Sequence, residues 1–441
     1  MKSFPALLLA ASALIASARA DDSATVPAPL TLGHAIDAVL ARYPSIEAAQ
    51  AEVDAARART TQSDASRLTQ VSAQGAYTYN SLRPYVPFPN GSGGTSDFYE
   101  TIHDSYNASI TVRQLLTDFG RTDAIVELSR TGELSARDAL EATRQQLGYQ
   151  TIQAFYGVLL LRQSVGVAND EITSLREALR IAERKFSAGS ATKFDVLTTQ
   201  VRLANAANRL ADTTAMLEKQ ESAMRQLLGS DRGSRLELTG DLDGAVPALD
   251  ESSVIAEGLQ HRPEMKLAHD NEQGARLRLD AADRANRPTL EAQASGGLED
   301  GDLPAMYDNK GYVRAGVSMT VPLLTGRRIT GERVEARAGI RSAQARIREL
   351  NATIVNDVEN AFADLTAARA RLSGAGTLVD QSQEALALAK TRYANGVITN
   401  FELLDAQSAA RSAELTRLQA RYDCVLAGQA VARAAGRPPQ P

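Results

Sequence analysis

An internal repeat is the feature that most constrains how this chain folds. The stretch FSAGSATKFDVLTTQ at 186–200 has a near-copy, YANGVITNFELLDAQ, at 393–407, and the matched residues keep an offset of 207 positions. Farther upstream the offset is 219, because RYPSI at 42–46 matches HRPEM at 261–265. The difference places 12 extra residues in the first half, in the Pro-, Gly- and Ser-rich stretch at 81–100. One duplication with a length change in a loop explains both offsets, since loops tolerate insertions best.

Both halves contain the same predicted elements in the same order. Each half opens with a helical pattern, then has a pair of strands, a long helical pattern that ends at a glycine, and a helix that runs back. The opening helical patterns lie at 31–66 and 252–286, and the strands are expected at about 70–79, 106–115, 289–298 and 312–321. The resulting division is a signal peptide at 1–20, a first repeat at 21–228, a linker at 229–251, a second repeat at 252–435 and a disordered tail at 436–441.

The long helical patterns predict an elongated molecule. Gly120 and Gly189 are 69 residues apart, and Gly326 and Gly396 are 70 residues apart. At 1.5 Å per residue, each pattern reaches about 105 Å. Apolar residues recur every seven positions in the returning helix of the first half, at Leu203, Leu210, Leu217 and Met224. This spacing predicts coiled-coil packing of helix against helix. The linker between the repeats predicts turns with one short strand.

The four predicted strands alternate apolar and polar residues with period two, as in Val313, Ala315, Val317, Met319 and Val321. Alternation over about 9–11 residues is typical of a membrane-spanning β-strand. The loops at 80–105 and 299–311 are long and polar, like extracellular loops. A soluble hairpin packed on its own helices is the alternative interpretation. Four strands also leave open edges, and the smallest usual membrane barrel has about eight strands, so one chain cannot close a pore.

The first twenty residues predict a cleaved secretory signal, because a short apolar run is followed by Ala18-Arg19-Ala20 and then Asp21 as the mature N-terminus. The apolar run is shorter than the roughly 20 residues of a spanning helix, so membrane contact is expected to be peripheral or through strands. Cys424 is the only cysteine, which excludes an internal disulfide and argues against a lipid anchor. The net charge of −5 argues against a nucleic-acid partner.

The sequence predicts no enzyme, metal site or cofactor. The DFG tripeptide at 118–120 lacks the Gly-rich loop and catalytic loop that kinase chemistry requires. The four histidines have no carboxylates at metal-ligand spacing, and the acids of the loop at 299–311 lack EF-hand spacing. No nucleophile and base form a recognisable pair.

Four motifs together resemble the TolC family of outer-membrane efflux and secretion channels. They are the strand-to-helix transitions LLTDFGR at 115–121 and PLLTGRR at 322–328, and the glycine breaks SAGSAT at 187–192 and ANGVIT at 394–399. The resemblance covers nearly all of the mature chain. It implies a mainly α-helical homotrimer with a small transmembrane β part, in which four strands per chain close one 12-stranded β-barrel that continues as a coiled-coil α-helical barrel across the periplasm.

The resemblance also implies partners. The protein would be the outer-membrane exit duct of a tripartite efflux pump or a type I secretion system, surrounded by outer-membrane lipid. A periplasmic adaptor, or membrane fusion protein, and an inner-membrane pump would open its periplasmic tip. A periplasmic coiled-coil adaptor or scaffold without a pore remains the alternative, although it would not need strands of period two.

Two sets of residues are predicted to form the functional site at the tip. The resemblance maps adaptor docking onto Ala188, Gly189, Ser190, Asn395, Gly396 and Val397. Glu402 and Asp405 are three residues apart and therefore share a helix face. In a trimer they supply six carboxylates, and rings of acids select cations. The resemblance places its constricting ring on these two positions and a closing link between Asp195 and Tyr393, while Ile398 replaces an expected Arg.

Overall fold

The computed structural model describes residues 29–82, 85–99, 104–231, 233–234, 236–243, 249–299 and 310–439. The predicted signal peptide at 1–20 and most of the loop at 299–311 lie outside the described residues.

Helices make up most of the described chain, and each half contributes two short and two long ones. They are α1 Leu32–Arg42, α2 Pro44–Ala65, α3 Arg121–Ser187, α4 Lys193–Leu228, α5 Glu251–His261, α6 Pro263–Asp283, α7 Arg328–Ala394 and α8 Asn400–Ala434. No helix of the described residues has a stretch long and apolar enough to cross a membrane.

The predicted opening helical pattern of each half is divided into two helices. Pro44 begins α2 and Pro263 begins α6, and the residues before them, Tyr43 and Arg262, both have ψ 130. A proline disfavours helical geometry in the residue that precedes it, while its own fixed φ suits the first helical position. Each pattern is therefore interrupted by one extended residue.

The strands are β1 Gln70–Tyr79, β2 Tyr85–Pro89, β3 Thr95–Tyr99, β4 Asp104–Thr117, β5 Thr289–Glu299 and β6 Lys310–Thr320. The four long strands form one antiparallel sheet in the order β1-β4-β5-β6. The interpretation of 80–105 as a loop was wrong in part, because β2 and β3 pair there as a small hairpin. The Asn90 side chain accepts a hydrogen bond from the Gly94 amide at 2.8 Å, and Gly93 has φ 85, which closes the turn of this hairpin.

The two faces of the large sheet differ in polarity. Cross-strand partners such as Ser72 and Thr111 lie on a polar face, whereas Val71 and Val112 lie on an apolar face. No helix of the described chain packs on either face of this sheet. The apolar side chains consequently stay exposed, and Val313 keeps 86% of its surface accessible. Among the described strands, β1 pairs only with β4 and β6 only with β5, so each leaves an unpaired edge.

The long helices α3 and α7 are 67 residues each, or about 100 Å. They pack along α4 and α8 respectively, and α6 lies against both. The largest core cluster lies where α1 and α2 meet α3 and α4, around Phe155 and Ile152, which are each 1% exposed. Full burial of such side chains contributes about 1.5–3 kcal/mol apiece.

The linker and the tail both depart from the sequence predictions. In place of a short strand, the described part of the linker has one parallel bridge between Leu30 and Leu238. The tail predicted to be disordered from 436 is packed as far as the described residues reach. Gly436 is buried with φ 75, and the Arg437 guanidinium donates to the Glu257 carboxylate at 3.0 and 3.1 Å. The Glu257 carboxylate on α5 thus anchors the segment that follows α8.

Candidate functional site

The two glycine breaks form identical turns at the ends of α3 and α7. Gly189 and Gly396 both have φ 71, a conformation that a side chain would strain. The Ser190 amide donates to the Lys185 carbonyl at 2.8 Å, and the Val397 amide donates to the Arg392 carbonyl at 2.9 Å. These bonds satisfy carbonyls that the helix end leaves without partners. The chain therefore reverses at both places through the same rigid glycine cap.

A reciprocal cap starts the helix after each turn. The Thr192 amide donates to the Asp195 carboxylate at 2.9 Å, and the Asp195 amide donates to the Thr192 hydroxyl at 3.2 Å. In the second half the Thr399 amide donates to the Glu402 carboxylate at 2.7 Å, and the Glu402 amide donates back at 3.3 Å. Both arrangements are capping boxes, which fix the first turn of a helix.

The capping bonds hold the Glu402 carboxylate in its charged form. The Thr399 amide, and after it the Thr399 hydroxyl, lower the pKa of Glu402 by hydrogen bonding. Asp405, one turn farther along α8, is exposed and forms no ion pair with any described residue. The two acids of the predicted gate thus differ, since one is tied to its own helix and the other is free to face solvent or a ligand.

Tyr393 is the buried member of the predicted gate, with 9% of its surface exposed. The Lys185 ammonium lies 3.8 Å from the centroid of its ring and donates to its backbone carbonyl at 3.3 Å. Burial, and then the negative charge of Asp195, raise the pKa of the Tyr393 hydroxyl. Within the described chain no hydrogen bond joins Tyr393 to Asp195, because the Asp195 carboxylate caps α4.

Asn400 joins the two returning helices just behind the turns. Its side-chain amide donates to the Thr199 hydroxyl at 3.0 Å and to the Asp195 carbonyl at 3.3 Å. Asn400 is 5% exposed and Thr199 is fully buried. The side-chain carbonyl oxygen of Asn400 has no hydrogen-bond partner in the described structure. A buried polar bridge of this kind fixes the register of α8 against α4, since any slip would leave more polar groups unpaired.

A cavity of about 330 Å³ lies between α3, α4, α7 and α8 above the turns. Four of its lining residues are cationic: Arg202, Arg209, Lys390 and Arg411. Arg209 pairs with Glu171 at 2.6 Å, and Arg202 donates to the Leu404 carbonyl at 3.2 Å. Arg202 thus joins α4 to α8 across the two helix pairs, whereas Arg209 joins α4 to α3 within one pair.

The six residues predicted to dock an adaptor are all exposed at the turns: Ala188, Gly189, Ser190, Asn395, Gly396 and Val397. Val397 is 70% exposed, and the neighbouring Phe194 and Phe401 are 69% and 56% exposed. Ile398, which stands where the family pattern has Arg, is half-buried. The turns thus present a small apolar surface on a rigid backbone.

Sequence reasoning missed Lys185 and Asn400. At the repeat offset of 207, Asn400 occupies the position that Lys193 has in the first half. This difference between the two repeats was the signal that could have identified Asn400. The capping role of Glu402 also had a signal, because Thr399 and Glu402 have the spacing of a capping box. The contact of Lys185 with Tyr393 joins positions 208 apart, and no local pattern indicates it.

Comparison with known proteins gives a family and a fold. A family model described as outer membrane efflux protein matches residues 35–230 and 254–437. The outer membrane efflux protein BepC of Brucella suis is 23% identical over 332 residues, which are 74% of this chain and 71% of BepC. The alkaline protease secretion protein AprF of Pseudomonas aeruginosa is 24% identical over 374 residues, 80% of this chain and 74% of AprF.

A solved structure matches almost the whole chain. The crystal structure of the outer membrane protein VceC from Vibrio cholerae superposes with a TM-score of 0.77 at 18% identity. The match covers 93% of this chain and 97% of VceC. The helices and the four-stranded sheet therefore have the arrangement seen in that protein.

Proposed function

This chain belongs to the outer membrane efflux protein family, and on that premise we propose that three copies of it assemble into one exit duct. The family match confirms the resemblance to TolC-like channels. The protein is located in the outer membrane, extends into the periplasm, and is a duct for efflux or secretion. We further propose how the trimer forms, how its tip opens and which residues of the tip take part.

The main support for the trimer is the large sheet, whose faces are not covered by any helix of the described chain. Val313, Val317 and Met319 lie 86%, 63% and 67% exposed on its apolar face, and its outer strands have open edges. In water such a face and such edges would drive aggregation, but in lipid the face is solvated and the edges must close. Three copies supply 12 strands, an even number within the range of bacterial barrels.

The uncovered sheet also distinguishes the duct from its two alternatives. A soluble hairpin would pack on its own helices, yet no helix of the described chain packs on a face of the sheet. A periplasmic scaffold would have no use for an apolar sheet face. Fractionation of membranes tests this choice, because a barrel stays with the outer membrane after a salt wash and leaves only with detergent. Release by mild salt would contradict the duct and favour the scaffold.

The internal repeat gives each chain two equivalent turns at the tip. Each chain would present its two equivalent turns, at 187–192 and 394–399, to a periplasmic adaptor that links the duct to an inner-membrane pump. Support comes from the identical glycine caps, which place exposed apolar residues on a rigid backbone at both turns. Because BepC is named for efflux and AprF for protease secretion, the same duct design suits a tripartite efflux pump or a type I secretion system.

We place the gate on Glu402, Asp405, Asp195 and Tyr393. Asp405 would be the carboxylate free to meet a permeating cation, because those of Glu402 and Asp195 accept the hydrogen bonds that cap their own helices. Tyr393 and Lys185 would hold the end of α7 in position, so that the closed tip resists opening. The half-buried Ile398 supplies no cation to this network.

Neutralising the two acids tests the gate in planar bilayers. Asp405→Asn with Glu402→Gln removes six charges per trimer, and Gln at position 402 preserves the spacing of the capping box. We expect weaker cation preference and weaker block by multivalent cations, because acid rings select cations. Tyr393→Phe keeps both the ring over Lys185 and the backbone carbonyl that Lys185 binds, so it should leave the closed-state conductance unchanged. Tyr393→Ala removes the ring and should raise that conductance.

The single variants separate the roles of the two acids. Asp405→Asn alone should account for most of the change in reversal potential, and Glu402→Gln alone for little. Unchanged selectivity in the double variant would remove both acids from the gate and leave them as solvated side chains.

A further inference from the structure

We propose that Arg113 and Arg314 form a basic band inside the barrel that binds solutes carrying several phosphate or carboxylate groups. The inference rests on the proposed trimer, because only a closed barrel gives the polar sheet face an interior. It concerns the end of the duct opposite the acidic tip, and it assigns a ligand class to a part of the pore that the gate does not include.

The strand register places both arginines on the polar face. Arg113 of β4 lies opposite Gln70 of β1 and Gln293 of β5. Arg314 of β6 lies opposite Ser295, which in turn lies opposite Thr111. Since these cross-strand partners are all polar, the two arginines lie on the face that turns into the barrel when the apolar face meets lipid.

The two arginines lie on adjacent rungs of that face. Thr111 and Ser295 are two residues from Arg113 and Gln293 on their strands, toward the loops. Two residues of a strand span about 6–7 Å. In a trimer the three copies of Arg113 and the three copies of Arg314 would therefore form two circles around the barrel, separated by this distance along the strands. Arg113 is level with the first residue of β1, so the band lies near the end of the barrel that joins the helices.

The side chains are positioned to meet solutes. The Arg314 guanidinium stacks 4.4 Å from the centroid of the Tyr312 ring, which is on the same face two residues nearer the loops. This contact holds the cation along the wall, as cation–π pairs do. Arg113 is exposed and forms no ion pair within the described part of the chain.

The rungs next to the two arginines also carry an acidic side chain. Glu291 is exposed on the next rung toward the helices, opposite Ser318, and it forms no ion pair with a described residue. Among the described residues of these rungs, the register thus brings together two arginines and one glutamate, so their formal charge is positive.

The size of the barrel makes the band effective. Twelve strands spaced about 4.8 Å apart and tilted about 40° give a backbone diameter near 24 Å. The radius is comparable to the Debye length of about 8 Å at physiological salt, so the fields of six guanidinium groups overlap within the pore. Guanidinium groups bind phosphate and carboxylate through paired hydrogen bonds, which favours anions with several such groups.

Block by inositol hexakisphosphate tests the band. Purified trimers in planar bilayers at 0.15 M KCl receive this probe on the side of the loops, and inositol without phosphates is the control probe. We expect Arg113→Gln with Arg314→Gln to raise the half-blocking concentration at least about tenfold, since a lined cleft concentrates counter-ions 10- to 1,000-fold. Arg113→Lys with Arg314→Lys keeps the charge but loses the paired hydrogen bonds, and its half-blocking concentration should fall between those of the wild type and the glutamine pair.

A second pair of variants tests the band without altering the arginines. Gln293→Glu and Ser295→Glu place acids opposite Arg113 and Arg314, and should also weaken the block. Equal block in the wild type and in both neutralised pairs would overturn the band while leaving the duct intact. A wild-type chain that forms no trimers and no pores would instead overturn the proposed function, and the band with it.

Discussion

Val317→Arg is expected to destabilise the protein in a bilayer by about 2–4 kcal/mol, whereas Ser318→Arg should change its stability little. The two residues are adjacent on β6 but lie on opposite faces, since Val317 is opposite Ala292 and Ser318 is opposite Glu291. An arginine at 317 would enter hydrocarbon, while an arginine at 318 would enter the water-filled interior next to a carboxylate.

Denaturant titration of each variant refolded into lipid vesicles measures this difference. Val317→Gln controls for the loss of the apolar side chain without a charge, and should fall between the wild type and Val317→Arg. Equal destabilisation by the two arginines would contradict the assignment of the faces, and with it the basic band.

Acidic substitutions at the turns should abolish transport and leave the trimer in place. Ser190 and Val397 are exposed, and the turns are held by backbone hydrogen bonds and by Gly189 and Gly396. Ser190→Glu with Val397→Glu should therefore change folding stability by no more than about 0.5 kcal/mol, as exposed substitutions usually do. Placing six carboxylates on a small apolar contact surface would prevent an adaptor from binding.

Two measurements on the same cells check this prediction, namely export by the pump and crosslinking of the duct to its adaptor. Gly91→Glu with Ser92→Glu adds equal charge in the exposed turn between β2 and β3, at the other end of the molecule, and should preserve both. If the tip variant crosslinks to the adaptor as well as the wild type does, the turns do not dock it.

The sequence predicted the parts of this fold that depend on local chemistry. Gly189 and Gly396 marked the reversals because a positive φ after a long helix favours glycine, and both have φ 71. The strand alternation marked the sheet, whose four strands are Gln70–Tyr79, Asp104–Thr117, Thr289–Glu299 and Lys310–Thr320. Both features are determined within ten residues, so no knowledge of distant contacts was needed.

The parts that were missed depend on distant contacts or on competing signals. Asn400 bonds to Thr199 across 201 positions, and Lys185 contacts Tyr393 across 208. The hairpin of β2 and β3 was hidden by the glycines and prolines of its loop, although Tyr85, Phe88 and Phe98 favour strands. The packed tail includes an ion pair between Arg437 and Glu257 that no spacing in the sequence indicates.

Crosslinking across the open edges of the sheet tests the central claim most directly. In a Cys424→Ser background, a cysteine replaces Gln74 on β1, and a second one replaces Arg314, Gly316 or Ser318 on β6 in turn; all four positions are on the polar face. Because β-carbons must approach to about 3.5–4.5 Å, oxidation joins only residues that are neighbours. Val317→Cys, on the apolar face, is the matched control.

If β6 of one copy pairs with β1 of the next, one of the three combinations should give a covalent trimer and no larger species. The Val317 control should remain monomeric on the denaturing gel. Disulfides within single chains, an open ladder of oligomers, or equal crosslinking from both faces would contradict a closed barrel of three chains.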